Sequence, residues 1–339
     1  MNKIIREIQR PFWLFRERLH RWKYGQPQEQ KEQSRYQQWR DFLNDERLFT
    51  ADKQAAKELF RKYIARVEIE VHSFCNRQCP WCANTYIDRH SNKTLMPPEM
   101  YRSIIDQLAE IGYSKSIWYS RYNEPLADRV ILDRLREAKT KLPKATLATF
   151  TNGDYVTREY LDELAESGLD RIFIMRYPSE NTEYKTEQKW KTLTDFAEKL
   201  HLPFHRNNEE LKCYCTHPKL EKIEIHWFEE TKAINRGGSV LRESPVNKRT
   251  APCSFPFTNM YIDYEGSVLP CCNVRHDVPE QKEIILGNAA ESSIFDIYTN
   301  LKSSLLRFQM VDFSPKVYPC GICDNYVQSY YFSIEEIYS

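Results

Sequence analysis

At 339 residues, with 41% apolar, 13% aromatic and 29% charged side chains, the chain suits one large or two modest domains with a real hydrophobic core. Its 49 basic and 48 acidic residues nearly cancel, which excludes a strongly basic nucleic-acid binder on bulk charge. A mean hydropathy of -0.68 and the lack of any apolar run near ~18 residues exclude a membrane span, and Met1-Asn2-Lys3-Ile4-Ile5-Arg6 opens no secretory signal, so a cytoplasmic protein is expected.

Residues 1–64 are rich in Arg, Lys, Gln and aromatics and read as a helical N-terminal extension. Lys3, Arg6, Arg10, Arg16, Arg18, Arg21 and Lys23 stand against Glu7 and Glu17, a local charge of +5. Ile4, Ile5, Ile8, Phe12, Leu19 and Trp22 supply an apolar side that Pro11 interrupts. Such a segment packs on the next domain with its charges in solvent, or makes a peripheral membrane contact. Nucleic acid is not expected as a partner.

From residue 65 strand-like and helix-like stretches alternate. Strands are predicted over 67–74, 114–120, 145–151 and 171–176, and helices over 98–111, 126–139, 157–167 and 187–200. The repetition predicts a parallel sheet or barrel over residues 65–240, with functional loops at the strand C-termini. Strands follow at 212–216 and 222–228. Asn235, Gly237, Gly238 and Pro245 mark a linker. Residues 250–339 form a small last unit with strands at 260–263 and 267–270 and a helix near 293–306.

Ten cysteines in a reducing compartment point to metal rather than to disulfides. Cys75, Cys79 and Cys82 fall within eight residues, directly after the first predicted strand. Three thiolates on one loop can hold three irons of a [4Fe–4S] cluster and leave the fourth iron open. Zinc is the alternative, with His72 or His90 completing the set. In a second set, twelve residues separate Cys253 from Gly266, four separate Gly266 from Cys271, and 48 more precede Cys320-Gly321-Ile322-Cys323. Four thiols make a closed site that suits zinc and iron–sulfur equally. Cys213 and Cys215 lie two apart on a predicted strand and share a face, and Cys272 adjoins a ligand and is expected to point away from it.

CxxxCxxC with an aromatic residue, Trp81, just before the third cysteine resembles the radical S-adenosylmethionine (radical SAM) enzymes. Ser120-Arg121-Tyr122-Asn123-Glu124-Pro125 follows the second strand, where that family carries a Gly-Gly-Glu-Pro type segment, and Phe150-Thr151-Asn152-Gly153 follows the third like its Thr-Asn-Gly. The departure is Arg121, Tyr122 and Asn123 in place of small glycines. The resemblance implies an α/β fold: a partial (β/α)6 TIM-like barrel in which Cys75, Cys79 and Cys82 hold a [4Fe–4S] cluster whose open iron chelates SAM. It also implies Trp81 beside the adenine, Glu124 accepting from the SAM ammonium, Asn123, Thr151 and Asn152 around it, and Arg176 near the carboxylate or ribose.

Cys-X12-Gly-X4-Cys followed by CxxC resembles the SPASM auxiliary domain, in the shortened twitch form because no cysteine follows Cys323. It implies one auxiliary [4Fe–4S] cluster on Cys253, Cys271, Cys320 and Cys323. The combined resemblance implies reductive SAM cleavage to a 5′-deoxyadenosyl radical, hydrogen abstraction from a polar small molecule or peptide, and an auxiliary cluster that takes the second electron. A sugar or cyclitol alcohol is the substrate class that the domain layout favours, and a flavodoxin or ferredoxin is the expected reducing partner. The alternatives are a redox-neutral epimerase in which Cys213 or Cys215 returns the hydrogen atom, a peptide-modifying enzyme, and a zinc-bound, non-enzymatic interaction protein.

Overall fold

The computed structural model describes residues 49–178, 184–229, 233–240, 249–250, 253–311 and 314–325. The basic segment 1–24 and Pro245 lie outside the described residues. Within them, one sheet contains β1 (Arg66–Ile69), β2 (Ser116–Trp118), β3 (Thr146–Thr151), β4 (Arg171–Arg176), β5 (Phe204–Asn207), β6 (Lys212–Cys215), β7 (Lys222–Trp227), β8 (Asn259–Ile262), β9 (Ser267–Leu269) and β10 (Gly287–Asn288). Their order is β10-β9-β8-β1-β2-β3-β4-β7-β6-β5. The consecutive strands β8, β1, β2, β3, β4 and β7 pair in parallel. The expected α/β architecture is therefore present, and the sheet runs unbroken into the C-terminal unit through β8 beside β1.

The helices are α1 (Lys53–Tyr63), α2 (Pro98–Glu110), α3 (Val130–Lys141), α4 (Arg158–Glu166), α5 (Thr186–Lys199), α6 (Phe255–Thr258), α7 (Ile294–Thr299) and α8 (Leu301–Met310). Their starts follow local chemistry. Asp52 accepts from the Ala55 N–H to cap α1, Thr157 accepts from Tyr160 to cap α4, and Pro98 occupies the first turn of α2. The single helix expected near 293–306 is two, because Asn300 takes an extended conformation and its side chain accepts from the Ser303 N–H. Strand β5 has no apolar alternation to announce it; it forms as the partner of β6, with Phe204 opposite Cys215.

The pleat sorts the parallel strands into two faces. Val67, Ile69, Ile117, Leu147, Ile172, Ile174, Ile223 and Ile225 pack with Ile104, Leu108, Leu135, Leu161, Leu164 and Leu193 of the helices. Each such side chain contributes about 1.5–3 kcal/mol by leaving water. The opposite, inner face carries Glu68 in register with Trp118, and Phe150, Phe173 and Glu224 in register with one another, with Trp118 stacked on Phe150.

That register corrects the expectation for Cys213 and Cys215. Cys213 is opposite Ile225 and Cys215 opposite Ile223, so both point to the helix-covered face, where they are buried in the core beneath α5. They are small apolar core residues, and a hydrogen-atom donor on the inner face is not among them.

The expected linker is also anchored. The Asn235 side chain donates to the Ile322 carbonyl at 2.6 Å, and its backbone N–H donates to Asp324 at 2.8 Å. Gly238 has φ +86°, and a Cβ there would lie 2.6 Å from Ile322 Cδ1.

Phe60 of α1 is fully buried, with edge contacts to Tyr113 ahead of β2 and to Phe295 and Tyr298 of α7. Phe60→Ala is expected to destabilise the protein by about 3–5 kcal/mol, read as a lowered denaturation midpoint; an unchanged midpoint would show that α1 contributes no stability.

Candidate active site

The loop that follows β1 is tied down at each end and in the middle. The Cys75 N–H donates to the Arg89 carbonyl at 2.9 Å, and the Cys82 N–H donates to the Cys79 carbonyl at 2.8 Å. Asp154, just past β3, accepts from Asn76 Nδ2 at 2.8 Å and from Arg77 Nε at 2.6 Å. Asn152 Nδ2 donates to Asn76 Oδ1 at 2.8 Å. Burial alone would raise the Asp154 carboxyl, but the hydrogen bonds from Arg77 and Asn76 outweigh it and hold the group below its ordinary value. Trp81 stacks on Tyr177, with ring centroids 5.6 Å apart, and lies 4.9 Å from Phe228.

Glu124 sits beside this loop and is 2% exposed. Its carboxylate accepts from Thr151 Oγ1 at 2.6 Å, from the Asn152 N–H at 2.7 Å and from the Leu126 N–H at 3.1 Å. Burial pushes its carboxyl up to about 7 in spite of these donors. Asn123 is 8% exposed, and neither atom of its amide has a partner. Thr151 and Asn152 are thus spent on holding Glu124 and Asn76. Arg176 donates from Nη1 to the Asn152 carbonyl at 3.1 Å and lies over the Phe196 ring, so it braces the same loop from the helix side.

The second thiol set comes together from three segments. Cys253 precedes α6, Cys271 follows β9, and Cys320 opens a 3-10 turn that ends just before Cys323. The motif glycine, Gly266, has φ +85°, and a Cβ would meet Asn288 Oδ1 at 2.7 Å and Met100 Sδ at 2.8 Å. Burial raises Cys253, Cys271 and Cys320, the last to about 12, and the other thiols of the set raise them further. Cys75 is likewise pushed up to about 12 by burial, with Glu124, Cys82 and Cys79 adding to it.

Buried charges join the two sets. Arg89 donates to Asp277 at 2.8 and 3.0 Å and to the Ser73 carbonyl at 3.1 Å, and its guanidinium lies 3.5 Å from Glu70. Arg275 also donates to Asp277, and to Asn84 at 2.9 Å, and lies 3.9 Å above the Tyr122 ring. Arg121 donates to the Val274 carbonyl. Cys272 faces the inner side of the sheet, near Glu68, Arg236 and Tyr261. Asp154, Glu68, Arg236 and the Arg89–Asp277–Arg275 group escape the motif reading; only Asp154, directly after Thr151-Asn152-Gly153, carries a local signal.

The residues fit iron–sulfur centres with SAM. Buried thiols that repel one another as thiolates need a compensating cationic centre, and the unpartnered Asn123 amide beside the buried Glu124 carboxylate leaves polar capacity for a zwitterionic ligand. Among the described residues, no three Cys, His, Asp or Glu side chains converge as the ligands of a single metal ion, and neither His72 nor His90 joins the thiols in such a group.

The family model of the Radical SAM superfamily matches residues 69–175, and that of an iron-sulfur cluster-binding domain, SPASM, matches residues 253–325. The chain belongs to the radical SAM superfamily and carries a C-terminal SPASM domain; it is a radical SAM enzyme, a class whose cofactors are iron–sulfur clusters and SAM. It is similar to the S-adenosyl-L-methionine-dependent 2-deoxy-scyllo-inosamine dehydrogenase of Niallia circulans, 24% identical over 246 residues that cover 73% of this chain and 86% of the relative. The PqqA peptide cyclase of Bradyrhizobium diazoefficiens is 32% identical over 108 residues, covering 32% of this chain and 27% of that protein. The crystal structure of BtrN in complex with AdoMet and 2-DOIA superposes with a TM-score of 0.57 at 23% identity, covering 74% of this chain and 88% of that one, and shares the fold. Relatives thus include proteins named for a small molecule and for a peptide. No helix among the described residues is long and apolar enough to cross a membrane.

Asp154→Ala removes the anchor of Asn76 and Arg77. Amide hydrogen exchange over residues 75–82 is expected to accelerate about tenfold or more, with the core strands unchanged; equal protection in the variant would show that Asp154 does not hold the loop.

Proposed function

We propose that this enzyme oxidises a polar small molecule at a hydroxyl-bearing carbon, and that one iron–sulfur centre is held by Cys75, Cys79 and Cys82 and a second by Cys253, Cys271, Cys320 and Cys323. The observation that carries the reading is the pairing of a three-thiol loop beside Glu124 and Asn123 with a closed set of four thiols, bridged by one buried charge network. When bound, the centres and SAM supply one-electron reduction of the sulfonium, a 5′-deoxyadenosyl radical and a site for the second electron. The protein does the rest. Glu124 accepts from the SAM ammonium, Asn123 offers its amide to the methionine portion, and Trp81 supports the adenine from its stack with Tyr177 and Phe228. Thr151, Asn152 and Arg176 act through Glu124 and the loop. The inner face shelters the reacting carbon from water.

Four thiols per closed set leave no ligand position for substrate, which favours electron transfer by the second centre over substrate binding. The likeness to the scyllo-inosamine dehydrogenase supports an aminocyclitol or sugar alcohol as substrate. Cys213 and Cys215 face the helices, which argues against the epimerase alternative that used them. A flavodoxin or ferredoxin would supply the first electron.

Anaerobically purified protein is expected to be brown and to carry about eight irons per chain, four for each [4Fe–4S] centre. Replacing Cys75, Cys79 and Cys82 by Ala should leave about half of the iron and abolish deoxyadenosine formation; a colourless protein with stoichiometric zinc, or deoxyadenosine formed by the triple variant, would refute the assignment. With 2-deoxy-scyllo-inosamine deuterated at its carbinol carbons, one deuterium should appear in deoxyadenosine and one oxidised product form per SAM.

SAM binding should also report on Glu124. Burial sets its change between acid and carboxylate at about 7, and the acid form offers the ammonium only a neutral carbonyl oxygen, without the charge that strengthens the bond. Affinity for SAM, measured by calorimetry, is expected to fall as pH drops through 7, by up to about tenfold per unit, and to lose that dependence in Glu124→Gln. Equal affinity at pH 6 and pH 8 in the unaltered protein would remove Glu124 from the site.

A further inference from the structure

Glu68 lies on β1 with 7% of its surface exposed, and it points to the inner face, opposite Trp118 on β2 and Tyr261 on β8. Arg66, Arg121 and Arg236 all act on its charge. Among the described residues, none of them forms an ion pair with it, and no hydrogen bond reaches its carboxylate. A carboxylate this deep costs several kcal/mol unless something pairs with it.

Two more polar groups nearby are stranded in the same way. The Trp118 indole N–H, 7% exposed, and the Tyr122 hydroxyl, 3% exposed, have no partner. The guanidinium of Arg236 has neither an ion pair nor a hydrogen bond among the described residues. It stands among Tyr122, Cys272, Cys82 and Tyr177, between the first thiol loop and the inner face. The turn that carries it is locked, because Asn235 accepts from the Gly237 N–H at 3.1 Å and is itself bound to Ile322.

A buried acceptor and a half-buried donor, both charged and both unpaired, are what a bound polar molecule would satisfy. We propose that Glu68 and Arg236 are the two poles of the substrate site, and that they select a saturated molecule with a hydroxyl or ammonium donor next to an oxygen acceptor, such as an amino alcohol or vicinal polyol. The inference rests on the small-molecule oxidation proposed above and names the residues that choose the substrate. An apolar ligand would leave both charges stranded. The ring of such a substrate meets the wall formed by Trp118, Phe150 and Phe173, whose centroids are 5.0 to 5.2 Å apart.

Ionisation of Glu68 adds a pH signature. Burial pushes its carboxyl up to about 7. The charged and titratable groups that face it are Arg66 on β1, Glu70 just after it, Arg121 after β2, Arg236 after β7, and Tyr261 and Cys272 from the β8–β9 segment. Below about 7 the acid form accepts from an ammonium without the help of a negative charge, so binding strengthens as pH rises.

The test is a calorimetric titration of the anaerobic, iron-loaded full chain with 2-deoxy-scyllo-inosamine at pH 6, 7 and 8, with SAM saturating at each pH so that the titration of Glu124 does not enter the profile. Glu68→Gln and Arg236→Gln are titrated alongside, with iron content and circular dichroism checked for each. The unaltered enzyme is expected to bind with an affinity that rises by up to about tenfold between pH 6 and 7. Glu68→Gln should weaken binding about tenfold or more and flatten the pH profile, and Arg236→Gln should weaken it while keeping the profile. Should Glu68→Gln fail to fold, the pH profile and Arg236→Gln decide the matter. Undiminished, pH-independent binding overturns the assignment, as does an aminocyclitol that does not bind at all. Binding that needs Glu68 but yields no oxidised product refutes the oxidation and leaves the site standing.

Discussion

Arg89 is a guanidinium that the fold has taken out of water, and the arrangement of the site follows from its need for counter-charges. A buried arginine is tolerable only when carboxylates and carbonyls enclose it. Glu70 and Asp277 supply the charge here, Asp277 in direct hydrogen bonds and Glu70 at 3.5 Å, with the Ser73 carbonyl completing the shell. Asp277 also holds Arg275, which reaches Asn84 and covers Tyr122, and Asn84 donates to the Tyr122 carbonyl. Three segments far apart in the chain are therefore held as one body: the first thiol loop, the Ser120 to Pro125 segment, and the stretch after Cys271. Removing one member would leave a charge buried and alone, at a cost of about 3–5 kcal/mol.

The sheet provides the second constraint. With β8 hydrogen-bonded beside β1 and β9 beside β8, the segment that carries Cys271 grows out of the strand two places from the one that leads to Cys75. Strand β9 runs antiparallel to β8, so the segment that carries Cys271 turns back along β8 and the two thiol sets do not share a strand end; the Arg89–Asp277–Arg275 group is what links them. The helix-covered face is apolar and supplies stability. The inner face is aromatic and charged; on it, burial alone would raise Glu224, but His226 at 2.6 Å and Lys222 at 2.7 Å hold its carboxyl down to about 2. Glu224 is paired where Glu68 is not, which separates a structural carboxylate from one with capacity to spare.

Much of this was readable along the chain. The strands at 145–151 and 171–176 are close to β3 and β4 because their apolar alternation is local and strong. The cysteine spacings and Glu124 are local as well, since a tight loop needs its ligands close together in sequence. The split at Asn300 and the existence of β5 were not readable; each depends on one side chain's hydrogen bond or on a neighbouring strand. The glycines near residue 237 looked like a linker, yet they permit a close approach to the Cys320–Cys323 turn.

By itself, then, the order of residues determined the fold class, the two thiol sets and the carboxylate beside the first of them, because periodicity and spacing are properties of neighbouring positions. Only the tertiary structure decided which way Cys213 and Cys215 point, that Asp154 latches the first loop, and that Glu68 stands buried and unpaired on the inner face with a half-buried, unpaired Arg236 acting on it. Strand register and burial set those outcomes. Both are fixed by partners tens to hundreds of residues away, such as Ile225 for Cys213 and Asp277 for Arg89, and no local pattern records them.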